Sequence, residues 1–273
     1  TLDLMEEDAL RWENHVNGDP EIDIAIVAHR YLSNFTDFDP LTLEPGVMLR
    51  FVRSAAQLGE PDAVILPGSK NTMGDLQHLF DSGLAQRIQH LAKAGVPIVG
   101  ICGGYQMLGK ELFDPDEVES NQGVLAGLGL LDVVTEFQRE KVTRQVKLHL
   151  SGQPPFFEDA EEVVAGYEIH CGLSRSPAAI SNPAFFNPLS QEEEGCVSDD
   201  GFIFGTALHG LFENDAFRRR FVNVLRLRKG LLPQPKLPLS FRDIEEERIE
   251  GWATFVAAHL DLVKLQKMMD EFK

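Results

Sequence analysis

The run Gly100-Ile101-Cys102-Gly103-Gly104 holds the residues best spaced for chemistry. It follows an apolar stretch at 96–101 and precedes residues with helical character. A Gly-x-Cys-x-Gly string between a strand and a helix has the form of a nucleophile elbow, with sulfur in place of the usual hydroxyl. The glycines are required because side chains beside a nucleophile on so sharp a turn would clash. A sulfur placed there sits at a helix N-terminus, where backbone N–H groups and the helix dipole stabilise negative charge. A free thiol ionises near pH ~8.5, and such surroundings bring that down to roughly 3.5–7.5. The competing reading is a small buried core cysteine, the usual fate of a free thiol. Strand, glycines and helix together favour the nucleophile. Cys171 and Cys196 lack this setting and read as structural.

A cysteine nucleophile needs a proton acceptor within hydrogen-bond reach, most often histidine. Of eight histidines, His209 ends the apolar run 202–208, and His170 shares a strand face with Glu168. Both Cys102 and His209 follow strands. In an open parallel sheet, ligands gather beyond the carboxyl ends of strands. His209 is therefore favoured, with His170 the competitor; His15, His78, His90 and His259 read as helix-surface positions. Acyl transfer also needs donors aimed at a developing oxyanion. The Gly103 N–H is one candidate. The loop Leu66-Pro67-Gly68-Ser69-Lys70-Asn71-Thr72 offers another at Gly68, where backbone can approach closely. The full Gly-x4-Gly-Lys-Ser/Thr phosphate loop is absent, so a nucleotide reading of this loop is rejected.

The elements that must hold these residues follow from periodicity. Short apolar runs at 22–28, 47–52, 63–66 and 96–101 read as buried strands. Helical character at 72–94, broken at Ser82-Gly83, and at 105–113 alternates with them. This predicts an α/β fold, a mostly parallel sheet with helices on both faces. Strands at 128–137, 142–150, 162–171 and 202–208 follow without helices between them and predict antiparallel additions in the C-terminal half. A helix is expected over 215–228, a stiff connector with three prolines over 231–239, and helices over 243–272 interrupted near Asp261. The expected division is a linker over 1–20, the main domain over 21–230, and the connector with C-terminal helices packing on it over 231–273.

Forty-three acidic residues against 25 Lys and Arg give a formal net charge of −18. That charge repels phosphate backbones and anionic membrane surfaces, so neither nucleic acid nor membrane is an expected partner. Three widely spaced cysteines suggest no disulfide framework or metal site, and fit a reducing, cytoplasmic setting. No window approaches the ~20 apolar residues of a membrane span.

Gly100-Ile101-Cys102-Gly103-Gly104-Tyr105-Gln106 resembles the nucleophile motif of class I, triad-type glutamine amidotransferases, and Gly205-Thr206-Ala207-Leu208-His209 stands at their histidine motif. Residues 33–39, 66–72, Gly166-Tyr167-Glu168-Ile169-His170 and 209–214 are similar, in the same order, to motifs of the C-terminal amidotransferase domain of the cobyric acid synthase family. The resemblance covers about residues 21–270. It implies a flavodoxin-like domain that hydrolyses glutamine through a γ-glutamyl thioester, with Cys102 as nucleophile, His209 as general base and acid, and Gly68 and Gly103 as the oxyanion hole. Gln106 and Ser69 stand where glutamine is held. The ammonia would amidate corrinoid carboxylates in cobalamin biosynthesis, on an N-terminal synthetase domain or subunit that uses ATP and Mg; no cofactor is implied for this chain itself. Ordinary triads carry Glu two residues after the histidine, where this sequence has Leu211. Glu213 and Glu168 are the candidates for the third member, with His170 as a secondary site. Alternatives are a non-catalytic scaffold, the amidotransferase domain of a related corrinoid a,c-diamide synthase, or another cysteine hydrolase, such as a peptidase, built on the same elbow.

Overall fold

The computed structural model describes residues 15–152, 154–158, 162–177 and 182–271. Most of the expected 1–20 linker, and the end of the last helix at Phe272, lie outside the described residues. In chain order the first strands are β1 (His15–Val16), β2 (Ile22–Val27), β3 (Leu32–Ser33), β4 (Val47–Val52), β5 (Ala63–Leu66), β6 (Gly68–Ser69) and β7 (Ile98–Ile101). The later ones are β8 (Glu111–Phe113), β9 (Val124–Ala126), β10 (Val134–Leu150), β11 (Val163–Arg175), β12 (Phe185–Asn187), β13 (Glu192–Glu194), β14 (Cys196–Val197), β15 (Ile203–Thr206) and β16 (Leu208–His209). Helices are α1 (Ala55–Leu58), α2 (Thr72–Asp81), α3 (Leu84–Lys93), α4 (Gly103–Leu108), α5 (Asp215–Arg228), α6 (Phe241–His259) and α7 (Leu262–Glu271).

The main sheet runs β1-β4-β2-β5-β7-β15-β14. Its five central strands pair parallel, with antiparallel edges at β1 and β14. The α/β reading holds, and its cause is visible in the strands. Ala63–Leu66 and Ile98–Ile101 are buried at every residue, as strands covered on both faces must be. Alternate residues feed two cores. Ile24, Ile26, Ile65 and Val99 join a phenylalanine-rich cluster with α5, whereas Ala25, Val27, Val64 and Ile98 pack under α2, α3 and α4. The break at Ser82-Gly83 falls as the sequence indicates, with Gly83 left-handed at φ 76° between α2 and α3. Leu84, Ala85, Ile88 and Leu91 of α3 form its buried stripe, the spacing of one helix face.

Several boundaries differ from the sequence expectation. The helix after the elbow stops at Leu108, and Glu111–Phe113 is a strand pairing parallel with β10; Gly109 ends the helix where a Cβ would lie 2.7 Å from the Val133 carbonyl oxygen. Residues 128–133 are not strand. β10 is one 17-residue strand with a bulge between Phe137 and Val142, so the charged 138–141 stretch expected to separate two strands is a bulge within one. Most antiparallel strands form a second sheet, β13-β12-β10-β11-β16, rather than extending the first. The expected 202–208 strand is divided. β15 pairs parallel with β7 in the main sheet, and β16 pairs antiparallel with β11 in the second. The chain thus changes sheets at Ala207, two residues before His209. Of α6, only Phe241 is buried, and the connector before it is tied to α5 by hydrogen bonds between Gln234 and both Arg219 and Asn223. Among the described residues no helix is long and apolar enough to cross a membrane.

Candidate active site

Cys102 sits between β7 and α4 with φ 50° and ψ −111°. A non-glycine residue at such a φ is strained, and strain of this kind concentrates at functional sites. The neighbouring glycines make it possible. A Cβ on Gly104 would lie 1.9 Å from the Leu66 carbonyl oxygen, and one on Gly100 would lie 2.7 Å from Tyr105 Cα. The Cys102 N–H donates to the Thr206 carbonyl at 2.7 Å, locking the elbow to the end of β15. The thiol makes a weak contact with the Ile169 carbonyl at 3.7 Å, so β11 forms a wall of the site.

His209 is wholly buried at the crossing between sheets. Its Nδ1 lies 2.7 Å from Asp37 Oδ2, and the Gly210 N–H donates to Asp37 Oδ1 at 2.9 Å. A carboxylate only accepts, so Nδ1 carries the proton and Nε2 is the working nitrogen. Nε2 is buried without a completed hydrogen bond, yet stands near enough to Cys102 to respond to it. Burial opposes the imidazolium. The hydrogen bond to Asp37, the closeness of Cys102 to Nε2 and the charge of each outweigh burial and raise the His209 pKa to about 10. The Tyr167 ring stacks on the imidazole with centroids 5.1 Å apart, and its hydroxyl accepts from Asn34 at 2.7 Å.

The residue that orients His209 is therefore Asp37, and neither Glu213 nor Glu168. Asp37 lies on a 3₁₀ segment, Phe35–Leu43, and is buried. The Glu213 carboxyl is raised by burial and then by repulsion from Asp37; it borders Gly210 instead of the imidazole. Glu168 bonds Arg144 at 2.8 Å. His170 is turned to the Gly172 carbonyl and Glu168, away from the base position.

The two oxyanion candidates do come together. A Cβ on Gly68 would lie 3.3 Å from His209 Cε1, and one on Gly103 would lie 2.9 Å from the Ser69 nitrogen. Loop and elbow touch because neither glycine carries a side chain. The Ser69 hydroxyl is already committed: it donates to Asp75 at 2.5 Å and accepts from the Asn71 N–H. Burial raises the Asp75 carboxyl. Gln106, buried one turn beyond Cys102, accepts from Thr72 at 3.3 Å, and a Cβ on Gly172 would lie 2.4 Å from its Nε2. Glu119 closes this corner: its carboxylate accepts the Met73 N–H and lies 3.2 Å from the Thr72 hydroxyl, whose single hydrogen it shares with Gln106; burial raises its carboxyl. Asp37 and Glu119 escaped the sequence reading. Asp37 stands in the 33–39 motif, which was the one signal available; Glu119 sits among polar loop residues and had none.

A thiol on a strained elbow, a buried imidazole and a carboxylate behind it, on a doubly covered parallel sheet, are the parts that a triad-type α/β cysteine hydrolase or acyltransferase needs. The chain belongs to the CobB/CobQ-like glutamine amidotransferase domain family, whose pattern matches residues 23–217. Cobyric acid synthase of Moorella thermoacetica is 44% identical over 275 residues, covering 97% of this chain and 53% of that protein. Cobyric acid synthase of Citrobacter koseri is 41% identical over 279 residues, covering 100% of this chain and 54% of that one. The chain thus spans about half the length of the curated relatives it matches. The fold is that of a solved glutamine amidotransferase, with TM-score 0.54, 16% identity, and coverage of 74% of this chain and 97% of that one. The PurLQS structure from Thermotoga maritima gives TM-score 0.57 at 18% identity, over 77% of this chain and 99% of that one.

Proposed function

We propose that this chain hydrolyses glutamine and delivers the ammonia to an ATP-dependent synthetase that amidates corrinoid carboxylates in cobalamin biosynthesis. The observation that carries the reading is the buried Asp37–His209 pair set against Cys102 at the end of β7. His209 Nε2 takes the thiol proton, and the sulfur attacks the side-chain amide carbon. The oxyanion is met by N–H groups of Gly103 and the Gly68-Ser69 strand. Collapse breaks the C–N bond as the imidazolium returns its proton to nitrogen, leaving ammonia and a γ-glutamyl thioester. Water, activated by the same imidazole, then releases glutamate and restores the thiol. Gln106, with Thr72 and Glu119 behind it, lies where the rest of the glutamine would be held.

The synthetase role, with ATP and Mg, belongs to a domain or subunit other than this chain; that the relatives are twice as long supports it. The scaffold alternative drew on the missing triad glutamate at position 211. Asp37 in hydrogen-bond contact with His209 removes that support. The test is glutamate release by the chain with and without Cys102→Ala. Release that depends on the sulfur is expected, and equal rates in both proteins reject the reading.

A further inference from the structure

Against the short strand β6 lies a buried carboxylate that the reaction above does not use. Asp75 stands in the first turn of α2 and is 1% exposed. Its Oδ2 accepts from the Ser69 hydroxyl at 2.5 Å, and both of its oxygens lie 3.2 Å from the Tyr31 nitrogen. Burial raises the carboxyl; the hydrogen bonds from Ser69 and from the Tyr31 and Arg30 backbone oppose that rise. These partners all donate, which suits a carboxylate, since it only accepts. Burying such a group is unfavourable unless it is well bonded. This one ties three segments together: α2 itself, the start of β3 through Tyr31, and β6 through Ser69.

What those segments carry is a backbone donor at the elbow. β3 and β6 pair antiparallel, Leu32 with Ser69 and Ser33 with Gly68, and the Lys70 N–H donates to the Tyr31 carbonyl at 2.8 Å. In an antiparallel ladder, hydrogen-bonded pairs alternate with pairs that are not bonded. Lys70–Tyr31 and Gly68–Ser33 are then bonded pairs, and Ser69–Leu32 between them is not. The Gly68 N–H is engaged in the ladder, and the Ser69 N–H points out of it. The Ser69 nitrogen stands beside the elbow, 2.9 Å from where a Cβ on Gly103 would lie. A ribbon with two residues in each strand has little stability of its own, so the place of this N–H depends on what ties the ribbon down.

We infer that Asp75 is a positioning residue for the oxyanion: through Ser69 and Tyr31 it holds the Ser69 N–H at the elbow, where negative charge develops on the amide oxygen of glutamine. This rests on the glutaminase reading above and assigns its second donor to Ser69. Asp75 touches no reacting atom; it acts by keeping a donor aimed, and an oxyanion donor out of place loses most of its effect. Two variants loosen the strand differently. Asp75→Asn sets an NH2 group against the Tyr31 N–H. Ser69→Ala removes the link to β6 and leaves Asp75 bonded to Tyr31. Two rates are read on each: steady-state glutamate release, and alkylation of Cys102 by iodoacetamide, followed by peptide mass. In alkylation the sulfur displaces iodide from carbon. That step needs the thiolate and its imidazole but forms no oxyanion.

Asp75→Asn is expected to lower kcat about a hundredfold, as a misplaced donor does. Ser69→Ala, which keeps the tie to Tyr31, should lower it about tenfold, the size of one lost hydrogen bond to a charged group. KM for glutamine and the alkylation rate should stay within about twofold of the unaltered chain, because the lost interaction is made in the transition state alone. An unchanged kcat in both variants overturns the inference. So does a raised KM with kcat unchanged, which makes the Ser69 hydroxyl a ligand of glutamine. So does alkylation that falls in step with kcat, which places the damage at the Cys102–His209 pair. Should Asp75→Asn not fold, Ser69→Ala decides by the same criteria. If the unaltered chain releases no glutamate, the glutaminase reading fails first and takes this one with it; release that the variants do not slow sinks this one alone.

Discussion

At the scale of residues, the proposed chemistry turns on Asp37, hydrogen-bonded to His209. It fixes the tautomer and holds the imidazolium. Asp37→Asn keeps the shape and removes the charge, and should lower kcat on the order of 10²–10⁴, as for other triads. A pH signature accompanies it. His209 titrates at about 10 in the folded chain against ~6.5 unfolded. A raised pKa means that the folded state binds more protons between those values. The stabilisation is fully present below pH ~6.5 and is lost as pH rises through about 10. Denaturant titrations from pH 6 to 10 should show the unaltered chain losing on the order of 3 kcal/mol and Asp37→Asn losing much less. Parallel curves for the two proteins would contradict the assignment. Cys102 was legible in the sequence because its constraints are local: glycines at 100, 103 and 104 have no other reason to crowd one cysteine. Asp37 was not, because its partner is 172 residues away and nothing in its own segment signals which side chain it will meet.

At the scale of elements, the site depends on two segments being held together. One is the 3₁₀ segment Phe35–Leu43, which carries Asp37 and ends against Glu44. The other follows His209, at Leu211–Glu213. Arg218 of α5 clamps both: its guanidinium donates to Glu44 at 2.8 Å, to the Phe212 carbonyl at 2.8 Å and to Asp215 at 2.5 Å. Arg218 is 1% exposed and Glu44 is fully buried. Removing Arg218 leaves Glu44 with Arg219 alone, 2.8 Å away, to offset its charge, a smaller loss than the about 3–5 kcal/mol of a wholly uncompensated buried charge. Arg218→Met should lower stability by about 1–3 kcal/mol and, in the fraction still folded, reduce kcat more than it raises KM, since Arg218 lies behind the Asp37–His209 pair. A melting temperature and kcat both unchanged would rule out the clamp. The helices here were legible where their apolar spacing is regular, as in α3. The strand 202–208 was not: a continuous apolar run carries no mark at Ala207, where Glu194 accepts from the backbone and the chain passes between sheets.

At the scale of the whole molecule, the parallel sheet and its two cores were readable from the alternation of short apolar runs with helices. The second sheet was not. Its strands alternate buried and exposed residues, a pattern that fits either an edge added to the first sheet or a separate layer. Long-range pairing decided between them, with β11 joining β10 to β16. That second sheet brings Tyr167, Ile169 and Gly172 against His209, Cys102 and Gln106, so it builds half of the site. The family match over residues 23–217 falls on the stretch that carries most of the main sheet and the second sheet.

The proposed reaction places a glutamyl group on one sulfur. Acid-quenching the chain during turnover of isotopically labelled glutamine, then weighing its peptides, looks for that group directly. A labelled glutamyl adduct is expected on the peptide containing Cys102, diminished in Asp37→Asn and absent in Cys102→Ala. Labelled glutamate released at the same rate from Cys102→Ala, with no adduct in the unaltered chain, would contradict it.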